Sequence, residues 1–267
     1  MTARSRTAPA RVPIAVVGLA GLGAALFVVP LLALLWRTPW AEAWQALFAP
    51  EALAALRLSL VCSLSATALS VVLGLPLAWV QARSEFPGRD LLRGITMLPV
   101  VLPPVVGGVA LLLAFGRRGI VGQWLEAWFG LRLPFTLPGA VLAETFVAMP
   151  FFVLTLEGGL RSADRALEDA ARTLGATPWV VFRRVTLPLV RPSLLAGAVL
   201  SWARALGEFG ATITFAGNLP GKTQTIPLAV YLALQNYPDA AITLSLVMLV
   251  VCLVVLVALR DRWFPSR

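Results

Sequence analysis

Hydrophobic positions along the chain gather into six long runs: Ile14 to Trp36, Leu58 to Gln81, Gly94 to Phe115, Gly139 to Leu160, Leu194 to Gly217 and Ala240 to Leu259. At a rise of about 1.5 Å per residue, each run coiled as a helix can cross roughly 30 Å of hydrocarbon. The pattern predicts an all-α fold, a polytopic membrane helical bundle of six transmembrane helices forming one domain over 1–267. Two connections depart from simple turns. Arg117 to Pro138 carries Trp124, Trp128 and Phe129, which suits a short helix anchored at the membrane interface. Ile226 to Gln235 is apolar but too short to span, and is expected as an interfacial or re-entrant piece packed on the bundle. Pro30, Pro76, Pro99 and Pro150 are expected to kink their helices, whereas Pro103-Pro104 beside Gly107-Gly108 predicts a true break in the third.

Composition agrees with a membrane solvent: 59% of residues are hydrophobic and 13% charged, against about 25% charged in soluble domains. The net charge of +9 does not point to nucleic acid, because Lys and Arg sit in short gaps between apolar runs and form no basic face. Their distribution instead orients the chain. Arg4, Arg6 and Arg11, then Arg83, Arg89 and Arg93, then Arg161, Arg165, Arg172, Arg183, Arg184 and Arg191, then Arg260, Arg262 and Arg267 fall on one side. The other side receives only Arg37, Arg57, Arg117, Arg118, Arg132 and Lys222. Both termini are therefore expected in the cytoplasm, with the first run a retained helix and not a cleaved signal. The chain has no His, and its two cysteines, Cys62 and Cys252, lie inside apolar runs as packing residues, so no metal or cofactor site is expected.

The stretch Ala216 to Thr223, AGNLPGKT, spells most of a phosphate-binding loop. It follows a membrane helix where a phosphate loop follows a buried strand, and Pro220-Gly221 reads as a turn. It also falls on the outer side, away from ATP. Any ATP used by this protein must be hydrolysed by another chain.

The polar and basic connection 161–193 contains structure of its own. From Ala163 the periodicity predicts a helix with Ala166, Leu167, Ala170, Ala171 and Leu174 on an apolar face and Asp164, Glu168, Asp169 and Arg172 around it. Gly175 suits a left-handed cap, Thr177-Pro178 a new helix start, and Leu187-Pro188 its end. Such an elbow either lies along the lipid surface or inserts into a partner's groove.

Here the chain shows a family resemblance. EDAARTLGATPWVVFRRVTLPL resembles the signature loop of ABC-importer permeases, with Asp169-Ala170-Ala171, Gly175 and Leu187-Pro188 at the characteristic positions. Asp169 departs from the usual Glu, and Glu168 precedes it. Arg204 to Tyr231, RALGEFGATITFAGNLPGKTQTIPLAVY, is similar to the corresponding segment of molybdate permeases and less so to sulfate and thiosulfate permeases. The resemblance implies an ABC importer type I permease fold in the bacterial inner membrane. It implies a homodimer, two copies of an ABC ATPase subunit, and an extracellular or periplasmic binding protein delivering a tetrahedral oxyanion. The elbow residues Glu168, Asp169, Ala170, Ala171, Gly175, Phe182, Leu187 and Pro188 would couple to the ATPase, and the implied cargo is molybdate, with tungstate, sulfate or thiosulfate as the alternative.

Arg204 and Glu208 fall within the fifth run at i, i+4 spacing, and cannot face lipid at roughly 2.5–3.5 kcal/mol per charge. Either the pair fastens helices together, or Arg204 lends positive potential to an anion pathway with Glu208 holding it in place. Ala203, Gly207 and Ala211 recur every four residues with Gly210 beside them, a pattern that lets two helices approach closely and favours a dimer-facing fifth helix. Glu157 is expected to reach cytoplasmic water and Glu144 to lie nearer the outer face. Neither has the nucleophile or paired acid of a membrane hydrolase, so no catalytic residue is expected. The broken and repeated halves of an ion-coupled secondary transporter are not evident either.

Overall fold

The structure, a computed structural model, describes residues 13–263. Arg4, Arg6, Arg11 and Arg267, used above for orientation, lie outside the described residues, as do the side chains of Arg260 and Arg262. The described residues form helices and connections without a strand. In order these are α1 (Ile14–Arg37), α2 (Trp40–Leu47), α3 (Pro50–Arg83), α4 (Arg89–Val101), α5 (Pro104–Phe115), α6 (Gly122–Phe129), α7 (Leu137–Ser162), α8 (Arg165–Thr173) and α9 (Pro178–Val181). A π-helical turn (Phe182–Thr186) leads to α10 (Leu187–Leu189), α11 (Arg191–Leu206), α12 (Gly210–Phe215), α13 (Ile226–Asn236) and α14 (Pro238–Trp263).

Four helices are each long and apolar enough to cross a membrane: α1, α3, α7 and the Pro238–Val255 part of α14. The third predicted span is divided into α4 and α5 by Leu102-Pro103, the break expected from the double proline. Pro104 lacks an N–H and opens α5, where that donor has no intrahelical partner in any case. The fifth span is divided as well, which the apolar run did not reveal. α11 ends at Leu206, the chain passes through Gly207 to Phe209, and α12 starts at Gly210. Phe209 has the non-helical angles φ −131 and ψ −54. The stripe Ala203, Gly207, Ala211 therefore does not form one helix face. Ala203 and Gly207 are exposed, while Ala211 is buried within the same chain.

α7 is the centre of the bundle. It begins at a Thr136 cap, whose hydroxyl accepts from the Gly139 N–H at 3.2 Å, and packs between α3 and α11. The contact is built on small residues. Buried Ala55, Ser59, Cys62, Ala66, Ser70, Gly74 and Ala78 follow one another every three or four positions along α3, with Ser63 beside Cys62. A Cβ on Gly74 would stand 2.8 Å from the Phe152 ring of α7. Ala66, Ala148 and Ala205 close the middle of the α3–α7–α11 contact. In lipid the apolar effect does not draw helices together, so such close backbone approach supplies the association energy through dispersion. α1 lies outside this core, with none of its residues buried.

The two broken spans meet at their breaks. A Cβ on Gly210 would stand 2.9 Å from the Pro104 Cβ, and one on Gly108 would stand 2.6 Å from the Thr214 Cβ and 2.9 Å from the Ala211 carbonyl. The outer halves α5 and α12 thus form one tightly packed pair, with Leu111, Ala143, Val147, Ala211 and Phe215 as their shared core with α7. α13 is the expected short outer piece, starting where the Ile226 N–H donates to the Ser59 hydroxyl at 2.7 Å. α6 is the expected short helix of the long outer connection. Its Trp124, Trp128 and Phe129 are exposed as interface anchors, and Glu126 is held by Arg117 at 3.0 Å and Arg132 at 2.8 Å.

Candidate coupling elbow and intramembrane charge site

The elbow forms as two arms. Asp164 caps α8 by accepting from the Ala166 N–H at 2.9 Å, and Gly175, with φ +84, closes its far end in the left-handed region. Thr177 caps the second arm by accepting from the Val180 N–H, with Pro178 at the first helical position. Leu187-Pro188 does not end this arm, as its sequence suggested. The helix widens into the π turn Phe182–Thr186, which opens the ladder where the proline ring would otherwise press on a preceding carbonyl, and runs on to Leu189. A bend of 70° then separates Pro178–Leu189 from α11.

The faces of the elbow are the reverse of an ordinary amphipathic helix. Leu167, Ala170, Leu174 and Trp179 are exposed, Leu174 at 89%, whereas the acid Glu168 is buried at 2%. Glu168 therefore faces the bundle and not the open surface of the elbow. Its Oε1 accepts from Arg83 Nη2 at 2.9 Å and from Thr186 Oγ1 at 3.0 Å, and its Oε2 lies 3.7 Å from Arg172. Asp169, next along, is open to solvent and pairs only with Arg172 at 2.8 Å. Phe182 turns inward, edge-on to Trp79 of α3 with ring centroids 5.0 Å apart and stacked on Trp179 at 5.5 Å. Arg165 donates to the Ala82 carbonyl at 3.4 Å, a second polar tie to the end of α3. Sequence reasoning counted Arg83 among loop charges and did not single out Thr186. Their partner is 85 and 18 residues away, and nothing local marks the pairing.

A second buried acid serves the same end of the bundle. Glu157, expected to reach water, is buried on α7 and contacts Arg93 of α4 at 3.3 Å and Arg161 at 2.7 Å. The two described arginine-rich connections, 83–93 and 161–191, therefore converge on one end, where each buried carboxylate is matched by guanidinium groups.

At membrane depth, Arg204 and Glu208 do pair, with Nη1 to Oε2 at 2.7 Å. They stand at the break of the fifth span and not inside a continuous helix. Glu208, 1% exposed, accepts from the Ala211 N–H through Oε1 at 2.8 Å and so caps α12, while the Arg204 side chain keeps 28% of its surface open. One carboxylate thereby closes a helix start and holds a partly accessible cation. Phe209 packs on Tyr231 of α13 at 5.0 Å beside it. Glu144, two turns into α7, is buried, with Oε2 lacking a hydrogen-bond partner.

The Ala216–Thr223 turn cannot serve phosphate in this arrangement. The N–H groups of Lys222, Thr223 and Gln224 all donate to the Leu219 carbonyl, and the Thr223 hydroxyl accepts from the Leu219 N–H. The donors that a phosphate loop would present are already used.

Known proteins match this architecture. The family described as "Binding-protein-dependent transport system inner membrane component" matches residues 70–265. The molybdenum transport system permease protein ModB of Mycobacterium tuberculosis is 46% identical over 240 residues, covering 90% of this chain and 90% of that protein. ModB of Escherichia coli is 44% identical over 209 residues, covering 78% and 91%. The sulfate transport system permease protein CysT of Escherichia coli is 38% identical over 228 residues, covering 84% and 82%. Among solved structures, a bacterial ABC transporter involved in import of the polysaccharide alginate aligns with a TM-score of 0.76 at 19% identity, covering 92% of this chain and 93% of the other. The chain belongs to the binding-protein-dependent inner-membrane transport component family. It has the ABC importer permease fold and is a multi-pass inner-membrane protein.

Proposed function

We propose that this chain is the permease subunit of an ATP-driven importer of molybdate. The observation that carries the reading is identity of 44–46% with molybdenum permeases over most of the chain. Two copies would enclose the pathway, two copies of a separate ATPase subunit would sit beneath them, and a soluble binding protein would deliver the oxyanion from outside. The elbow supports the ATPase side of this scheme. Its exposed Leu167, Leu174 and Trp179, with Ala170, Ala171 and Gly175 allowing close approach, make a small apolar knob suited to a groove on a soluble partner. Closure of the ATPase pair would then carry the elbows inward or apart and switch the bundle as rigid bodies. Arg204, partly open beside the break, supports an anion pathway. A dianion passing there would meet a cation whose charge Glu208 partly offsets, which permits binding without trapping.

Uptake of radiolabelled molybdate into proteoliposomes holding the chain, its ATPase subunit and the binding protein tests the reading. ATP-dependent accumulation, reduced by excess tungstate and not by excess sulfate, is expected. Accumulation driven by an ion gradient without ATP would overturn it, and competition by sulfate would move the cargo to that of the sulfate relatives, which are 38–40% identical.

A further inference from the structure

Beside the Phe182–Trp79 packing and the Arg165–Ala82 hydrogen bond, the elbow is tied to the bundle by one buried carboxylate. Glu168 sits on the first arm, accepts a hydrogen bond from Thr186 on the second arm, and accepts another from Arg83, the last residue of α3. Arg83 is itself only 8% exposed, and its Nε and Nη1 have no hydrogen-bond partner. Its place is thus fixed by a single carboxylate in a site where an unpaired charge is strongly disfavoured. The neighbouring Arg172–Asp169 pair is exposed on both sides and can open at little cost. Among the described residues, Arg83–Glu168 is the ion pair that joins the elbow to a membrane span while shielded from water. The helix it reaches also runs to the opposite end of the bundle, where Ser59 holds the start of α13.

We propose that Arg83 is a positioning residue for energy coupling. By gripping Glu168 it makes the two elbow arms and the inner end of α3 move as one piece, so that displacement of the elbow becomes displacement of the spans. This rests on the reading that the elbow seats in an ATPase subunit. Without the grip the elbow stays docked through Leu167, Leu174 and Trp179, but slides against α3, and hydrolysis proceeds without reshaping the pathway.

The test is the ratio of molybdate taken up to ATP hydrolysed, in proteoliposomes carrying the whole complex. Arg83→Met and Glu168→Gln lower that ratio by about tenfold or more while the ATPase subunit still copurifies. Thr186→Val, which keeps the ion pair, lowers it by about threefold. The exchanged pair Arg83→Glu/Glu168→Arg restores much of the ratio. An unchanged ratio in Arg83→Met overturns the proposal. Should that variant fail to accumulate in the membrane, an unchanged ratio in Thr186→Val overturns it instead.

A readout independent of cargo separates this proposal from the function it rests on. Nitroxides on Leu219→Cys in the two copies, with Cys62 and Cys252 replaced by Ala, report the outer separation on adding ATP. The wild-type grip gives an ATP-driven change that Arg83→Met abolishes; a change retained in Arg83→Met overturns the grip. A complex whose outer end responds to ATP but takes up no molybdate overturns the cargo reading alone.

Discussion

Glu168 and Asp169 stand side by side, yet the first is sealed between two arms and a span while the second is 65% exposed on its side chain. A helix turns by about 100° per residue, so adjacent acids meet different surroundings, and the cost of burying a charge then decides their roles. Asp169 is the acid free to touch a partner, which gives its one-carbon departure from the family pattern a place to matter. The same logic separates the two jobs of Glu208. Glu208→Gln keeps an oxygen for the Ala211 N–H, whereas Glu208→Ala removes both cap and pair. The alanine variant is expected to be less stable than the glutamine by about 1 kcal/mol, read from the melting temperatures of the purified complexes. Arg204→Gln keeps hydrogen-bonding capacity but removes the charge. Uptake is expected to fall by about tenfold, the equivalent of ~1.4 kcal/mol, with assembly unchanged; normal uptake would leave the pair with a fastening role only.

The elements show why some breaks are legible in sequence and others are not. Pro103-Pro104 announces the division of α4 from α5 because proline removes a donor and fixes its own φ. ALGEFGAT contains no proline and reads as continuing helix, so the division of α11 from α12 is set by tertiary contacts: Gly210 against Pro104, and Glu208 capping the new start. The apolar face of the elbow, by contrast, is legible: periodicity identifies it, and its exposure suits the lipid surface or partner's groove that the sequence allows. Packing at the paired breaks carries its own prediction. Gly108→Ala places a methyl into Thr214 and the Ala211 carbonyl and is expected to destabilise by about 1–3 kcal/mol. Gly94→Ala, which meets nothing within 4 Å, is expected to be neutral or stabilising by up to about 1 kcal/mol. Thermal denaturation of both variants decides it, and equal melting temperatures would refute the tight fit. On the elbow, Leu174→Glu is expected to release the ATPase subunit during affinity purification without lowering the melting temperature of the chain, because Leu174 touches the bundle scarcely at all.

At the scale of the molecule, six runs, their order and the elbow could be read from period and length, since lipid imposes helices on every crossing segment. The ties between them could not, because Arg83 to Glu168 and Ser59 to Ile226 join residues 85 and 167 positions apart and leave no local trace. Those ties nonetheless bear on orientation. Arg83, Arg93, Arg161 and Arg165 come together at the elbow end around Glu157 and Glu168, while Arg117, Arg132 and Lys222 belong to the connections at the other end. Positive residues mark the cytoplasmic side, so the elbow is expected to project inward and the Ala216–Thr223 turn outward. In a background lacking Cys62 and Cys252, a membrane-impermeant thiol reagent added to intact cells is expected to modify Lys222→Cys. Leu174→Cys is expected to react only after the membrane is opened, although its side chain is the more exposed of the elbow's leucines. Labelling of Leu174→Cys in intact cells would place the knob outside, beyond the reach of any ATPase, and would remove the mechanical link between fuel and pathway.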